Sequence, residues 1–435
     1  MTKIALVNHG CAKNLVDSEL MLGILAEKGY EITLDENNAQ VVIVNTCSFI
    51  HDAEVESVDS ILELVNKNKK VIVTGCLPQK HKEDLKKAIP EVAAILGTTD
   101  FVQIADTIDE LLKNDSEYIS NVSEHPNYCY PENVERQQIT VGASSYIKIA
   151  DGCNYNCGYC IIPKLRGKCH SRKMEDIITE AKNLADKGVT EIVLIAQDTT
   201  SYGIDLYGKL MLPVLLEKLN QIENILRIRI MYAYPTNVTD ELLEKINTLE
   251  KVAKYIDLPL QHSNFEVLKS MCRPVFDYRE LVKKIRDKVP NIAIRTAFIV
   301  GYPGETEEQF EDLYNFIKDM KFDKMGVFEY SKEKGTISAK MKNQISAKIK
   351  KLRRNKLMEL QQKISTEINK KYIGKILPCI IEGYTDDGLV IARSEYDAPE
   401  TDGLVYINTK KQVIPGDIEN VKIVSSSEYD LYGEI

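Results

Sequence analysis

From residue 3 to about 105, short β-branched runs alternate with amphipathic stretches, which predicts a parallel sheet covered by helices. The expected strands are 4–8, 41–45 and 71–74. A polar stretch from about Asn114 to Gly142, with Pro126 and Pro131 and little periodicity, reads as a linker. The alternation then resumes, with strands expected at 146–150, 191–196, 227–234, 254–260, 293–300 and 324–330. Six consecutive βα units favour an open or closed barrel, whose chemistry sits at the C-terminal ends of its strands. A long charged helix is expected at about 346–371. From Tyr372 to Ile435 the segments are short and separated by turn signals such as Pro415-Gly416-Asp417, as in a small antiparallel β-barrel. The expected division is 1–114, a linker 115–142, 143–371 and 372–435, an α/β chain with a β-barrel appended. No solenoid repeat or low-complexity tract is apparent.

With 435 residues and 44% apolar content the chain is too long for one ordinary core. Its longest apolar runs are far shorter than a membrane span, and the N-terminus lacks a basic-then-apolar leader. The expectation is a soluble cytoplasmic protein that binds no membrane. Ten cysteines in such a chain point to metal rather than to a disulfide framework. A formal charge of −9 argues against wholesale attraction to nucleic acid.

The strongest local signal is Cys153-Asn154-Tyr155-Asn156-Cys157-Gly158-Tyr159-Cys160, directly after an expected strand. Three thiolates on one loop can hold three irons of a [4Fe-4S] cluster and leave the fourth open to substrate. Zinc would ordinarily take four protein ligands in two separated pairs. Polar residues stand at the other strand ends: Gln197 and Asp198, Gln261 and His262, and Gly301-Tyr302-Pro303-Gly304-Glu305. Taken singly, the glycines would be turn residues and His262 a satisfied core histidine.

In the first domain Cys11, Cys47 and Cys76 each stand just past an expected strand end. The C-terminal strand ends of a doubly wound sheet form one crevice, so these distant cysteines can converge and suit a second cluster. Any one of them alone would be an ordinary buried thiol. Cys129, Cys169, Cys272 and Cys379 have no ligand spacing and are read as incidental.

The Cys153–Cys160 motif resembles the radical S-adenosylmethionine (radical SAM) superfamily. Gly10-Cys11-Ala12-Lys13-Asn14, Asn45-Thr46-Cys47 and Thr74-Gly75-Cys76 resemble its methylthiotransferase family over the whole chain. The resemblance implies an auxiliary-cluster domain, a partial (βα)6 TIM barrel and a β-barrel of the TRAM type for substrate recognition. It also implies two [4Fe-4S] clusters, on Cys11, Cys47 and Cys76 and on Cys153, Cys157 and Cys160. S-adenosylmethionine would be both methyl donor and source of a 5'-deoxyadenosyl radical. Tyr159, Gln197, Asp198, Gln261, Ile299, Gly301 and Phe328 would cradle it, and the first crevice would face the barrel mouth.

The family divides between enzymes of transfer RNA adenosine and those of a ribosomal protein. The segment 372–435 carries five basic residues (Lys375, Arg393, Lys410, Lys411, Lys422) against twelve acidic ones, a net charge of −7. Such a surface would repel RNA and attract a basic protein, although an acidic face can also be merely solvated. Lys13–Glu19, Ile195–Thr200 and Leu258–His262 resemble the RimO-type, ribosomal-protein branch. That resemblance implies methylthiolation of an aspartate β-carbon in ribosomal protein S-twelve, no direct transfer RNA binding, and reduced flavodoxin or ferredoxin as electron donor. The substrate carboxylate is expected near a fixed cation, Lys13, Arg166 or Arg172. The alternatives are the transfer RNA enzyme and a non-catalytic iron-sulfur electron carrier, which would not cleave S-adenosylmethionine.

Overall fold

In the computed structural model the described residues are 2–48, 50–113, 118–128, 130–131, 134–139 and 142–435. Cys129 lies outside them. The chain divides into two units, one of 1–141, 151–155 and 160–170, the other of 142–150, 156–159 and 171–435.

Among the described residues the first unit carries a six-stranded, all-parallel sheet. Its strands are β1 (Lys3–Asn8), β2 (Glu31–Ile32), β3 (Val41–Thr46), β4 (Lys70–Gly75), β5 (Ala94–Leu96) and β6 (Ile119–Asn121), in the order β2-β1-β3-β4-β5-β6. Val41–Val44 and Val71–Val73 are fully buried, as central strands covered on both faces must be. The strand order reverses between β1 and β3, the switch point where doubly wound sheets bind ligands.

The expected linker needs correction, because β6 lies inside it and adds a parallel strand beside β5. Its later residues also pack on this unit: Arg136 donates to Glu19 at 2.9 Å with both side chains buried, and the Ile139 amide donates to the same carboxylate. Three residues with one buried position are too short to show a period.

A two-stranded pair, β8 (Ala150–Asp151) with β9 (His170–Ser171), brackets the three-cysteine segment. In the second unit β7 (Ser144–Lys148), β10 (Glu191–Ile195) and β11 (Arg227–Ile230) pair in parallel, as do β12 (Tyr255–Asp257), β13 (Ala293–Val300) and β14 (Lys324–Glu329). A single bridge, Ile228 to Val252, links the two triplets, so among the described residues the six strands form an open barrel. Two expected strands prove shorter. The stretch 227–234 is regular only to Ile230. The stretch 254–260 is regular only over Tyr255–Asp257, before the chain turns at Gln261, whose φ is +74°.

Strands β15 (Ile376–Tyr384), β16 (Val390–Ser394), β17 (Val405–Asn408), β18 (Ile418–Ser426) and β19 (Leu431–Glu434) close a barrel in the order β15-β16-β17-β19-β18. It is antiparallel except where β17 and β19 pair in parallel. This barrel is docked on the N-terminal ends of the (βα)6 strands. Arg227 and Arg229 donate to the Arg393, Pro378 and Glu395 carbonyls, and Arg393 pairs with Glu191 and Glu382. Tyr255 donates to Asp402 at 2.7 Å. Burial alone would raise the Glu191 carboxyl, but Arg393, Arg229 and Arg227 outweigh it and hold the group well below the usual carboxylate range.

Candidate active site

In the first unit the three cysteines follow three adjacent strands. Asn8, Asn45 and Thr74 are aligned across β1, β3 and β4, so Cys11, Cys47 and Cys76 leave the sheet side by side at the switch point. Gly10 and Gly75 make the approach possible. Their φ values are +101° and +94°, and a Cβ on Gly10 would lie 2.8 Å from Cβ and 3.3 Å from Sγ of Cys47. A Cβ on Gly75 would lie 2.5 Å from Asn45 Oδ1. Cys11 then caps the helix Ala12–Glu27, and Cys76 opens the helical segment Cys76–Ala88, which breaks at His81.

The Lys13–Glu19 motif is the polar lattice that fixes these loops. Asn14 Nδ2 donates to the His9 and Thr46 carbonyls at 3.1 and 3.0 Å, and Asn45 Nδ2 donates to the Asn14 carbonyl and to Ser18 Oγ. Ser18 Oγ donates in turn to Asn8 Oδ1. Thr46 Oγ1 donates to the Thr74 carbonyl, and Ser57 Oγ receives the Cys47 amide. In the sequence Asn14, Asn45 and Thr46 stand only as flanks of the cysteine motifs, with no role of their own, and Ser57 does not stand out at all. Asn14 stands on the helix Ala12–Glu27, whose polar first turns prove to be buried, Asn45 and Thr46 end β3, and Ser57 stands on the helix His51–Asn66.

Arg166 reaches the same place. Its Nη1 donates to Asp17 and Asp151 at 3.0 and 2.8 Å and its Nη2 to Asn14 Oδ1 at 2.6 Å, with the guanidinium 3% exposed. Neighbouring protein atoms that displace water would raise the thiol of Cys11, an exposed residue, yet Lys13, Arg166 and the Asn14 and Lys13 backbone donors bring it below its ordinary value. For Cys76 burial wins over Arg166 and pushes the thiol up to about 12.

Among the described residues no group of three or more His, Cys, Asp or Glu side chains could hold a metal ion. A [4Fe-4S] cluster takes each thiolate on a different iron, and so asks for a wider set than one ion does. Three adjacent soft donors, a fixed cation and helix N-termini that favour negative charge fit such a cluster. On the other segment Cys153 donates its amide to the Gly167 carbonyl at 3.0 Å, and Cys160 Sγ receives the Ile162 amide at 3.5 Å.

In the second unit Gln197, Gln261, Ile299, Gly301 and Phe328 stand at or just beyond the C-terminal ends of β10, β12, β13 and β14. Ile299 and Tyr159 pack against one cluster with Val267, Met271, Tyr302 and Tyr330, while Phe328 is half exposed. The Gly301–Glu305 turn is stitched by Glu305, whose carboxylate receives the Gly301 and Tyr302 amides and pairs with buried Arg353. Asp198 is already engaged. Its carboxylate receives the Thr200 amide and hydroxyl and Asn237 Nδ2, so it caps the turn Thr199–Ser201. His262 is fully buried, and burial, with Arg353 nearby, pulls it down to about 3, so its ring is neutral. Arg172 pairs with Glu180 at 2.6 Å and donates to the Lys148 carbonyl. Lys13 is also buried.

Among the described residues no helix is long and apolar enough to cross a membrane.

Three families match the chain: "Uncharacterized protein family UPF0004" over residues 3–97, the "Radical SAM superfamily" over 147–317 and the "TRAM domain" over 373–435. The chain is 50% identical to a "Ribosomal protein uS12 methylthiotransferase RimO" of Caldanaerobacter subterraneus subsp. tengcongensis, with 100% of both chains covered. It is 44% identical to the protein of the same name from Clostridioides difficile, covering 100% of this chain and 99% of that one. Among solved structures it resembles the radical S-adenosylmethionine methyltransferase TsrM of Kitasatospora setae, with TM-score 0.57, 13% identity and 75% and 73% coverage. It also resembles the cobalamin-dependent radical enzyme OxsB, with TM-score 0.51, 13% identity and 83% and 56% coverage. At such identities the likeness is one of fold.

Proposed function

Since this chain belongs to the RimO family of radical SAM methylthiotransferases, we propose that it transfers a methylthio group to the β-carbon of an aspartate in ribosomal protein uS12. The observation that carries this reading is the crevice at the end of β1, β3 and β4. It holds three cysteines on a buried polar lattice, in a chain that has a second three-cysteine loop of radical SAM spacing. When bound, two [4Fe-4S] clusters and S-adenosylmethionine supply the radical chemistry, the sulfur and the methyl group.

The chain's own residues bind, orient and screen. Arg166, Asn14 and Asn45 hold the Cys11 and Cys47 loops in register. Gln197, Gln261, Ile299, Gly301, Phe328 and Tyr159 would line the S-adenosylmethionine site at the strand ends, with Asp198 shaping the turn beside Gln197. Of the three candidate cations, Arg166 already holds Asp17 and Asp151, and Arg172 holds Glu180. Each would meet a substrate carboxylate only by exchanging one it has.

The TRAM-type barrel is fixed at the N-terminal end of the (βα)6 strands, away from the ends that bear those site residues. Its net charge of −7 suits the body of a basic protein rather than the modified aspartate, and offers little to transfer RNA phosphates. Reduced flavodoxin or ferredoxin in the cytoplasm is the proposed electron source.

The experiment that tests this division of labour uses anaerobically reconstituted protein. Cys11→Ala, Cys47→Ala and Cys76→Ala should abolish methylthio transfer while S-adenosylmethionine is still cleaved, whereas Cys153→Ala, Cys157→Ala and Cys160→Ala should abolish both. Equal loss of cleavage in the two sets would overturn it.

A further inference from the structure

The middle of the Cys153–Cys160 loop is gripped from two sides. The Gly158 amide donates to the Met271 carbonyl at 2.8 Å, just past the helix Phe265–Ser270, and the Gly158 carbonyl receives the Ser338 amide at 2.8 Å, from the segment after β14. Both backbone polar groups of the residue after Cys157 are thus committed to elements more than a hundred positions away.

Space is committed as well. A Cβ on Gly158 would lie 2.7 Å from Tyr302 Oη, closer than real Cβ contacts allow, and 3.3 Å from the Ser270 carbonyl oxygen, a tight contact. Gly158 has no positive φ, so it is glycine for lack of room and not for backbone freedom. Tyr302 cannot swing aside. It is 1% exposed, donates to the Ser270 carbonyl at 2.9 Å and meets Tyr330 edge-on with ring centroids 5.5 Å apart. Tyr330 donates to Ser338 Oγ at 2.8 Å, which closes a circuit from Gly158 through Ser338, Tyr330 and Tyr302 back to Gly158. Gln344 anchors the strap by donating to the Ser338 and Met341 carbonyls.

We propose that Tyr302, Tyr330 and Ser338 are positioning residues that clamp the cluster loop at Gly158 and set where Cys157 and Tyr159 are presented. The proposal rests on the reading that this loop holds a cluster. Because Tyr302 belongs to the turn after β13, the clamp ties the height of the loop to the strand end proposed above to line the S-adenosylmethionine site. Supporting shells of this kind hold a site to its working geometry.

The test uses the full chain, reconstituted anaerobically with iron and sulfide. Iron per chain and the reduced-state electron paramagnetic resonance spectrum, with and without S-adenosylmethionine, are read beside a thermal melt. Gly158→Ala should lose about half the iron, one of two clusters, together with the part of the spectrum that responds to S-adenosylmethionine. Adding Tyr302→Phe, which removes the obstructing oxygen, should restore most of both. Gly142→Ala, with nothing within 4 Å of its Cβ position, should match the wild type. Full iron and an unaltered spectrum in Gly158→Ala, or no recovery in the double variant, overturns the clamp. Should Gly158→Ala fail to fold, Tyr330→Phe decides. The clamp requires retained iron with an altered responsive spectrum, and an unaltered one overturns it. A wild type whose iron is indifferent to Cys153, Cys157 and Cys160 overturns the reading of the loop, and the clamp with it.

Discussion

Arg166 shows how one side chain is given its work by its neighbours. Two buried carboxylates and an amide share its guanidinium, and breaking a buried ion pair from one side leaves an uncompensated charge that costs about 3–5 kcal/mol. Arg166→Met should therefore lower the melting temperature and weaken iron retention at Cys11, Cys47 and Cys76. A melt and iron content equal to wild type would deny it this role. Asp198 makes the opposite case. As a turn cap its removal costs about 1 kcal/mol, so Asp198→Ala should melt slightly earlier yet still cleave S-adenosylmethionine with KM changed less than threefold. A large rise in KM would show that it touches the cofactor. That Cys11, Cys47 and Cys76 leave one sheet side by side was legible in sequence, because each follows a strand of continuous apolar character. The bonds that Asn14 and Ser57 make were not, because one polar residue on a helix reads the same whether it faces water or a crevice.

Elements with a strong period were legible, and short ones were not. Val41–Val44 and Val71–Val73 announce central strands by continuous apolar character, and the six long βα units follow from the same rule. Strand β6 and the packing of residues 134–139 escaped because they depend on partners, β5 and Glu19, that sequence does not place. The helix His51–Asn66 carries a pH-dependent anchor beside the Cys47 loop. Burial would raise the Glu54 carboxyl, but donors from His81, Lys80 and Ser48 outweigh it and hold it down to about 2. Its stabilisation is complete above the ordinary value of 4.5 and is lost as pH falls from there towards 2. Glu54→Gln should cost about 1 kcal/mol at pH 7 for this partly exposed group, and its melting gap to wild type should narrow steadily below pH 4.5. A gap constant down to pH 3 would contradict the assignment.

For the molecule as a whole, the family assignment and the charge of the C-terminal barrel point to the same kind of substrate. That barrel is no loose appendage. The Glu191 carboxylate is shared by Arg229 and Arg393, so Arg393→Ala should cost about 3–5 kcal/mol and expose 373–435 to limited proteolysis. Unchanged protease resistance would show that other contacts suffice. Which macromolecule is modified was legible only through resemblance and charge, since no residue pattern by itself names a substrate. The most direct measurement of the central claim is mass spectrometry of uS12 and of unmodified transfer RNA, each incubated anaerobically with the reconstituted protein, dithionite, S-adenosylmethionine and a sulfur source. A methylthio mass gain on a uS12 aspartate is the predicted result. Cleavage of S-adenosylmethionine with no gain on uS12, or gain on transfer RNA alone, would contradict it.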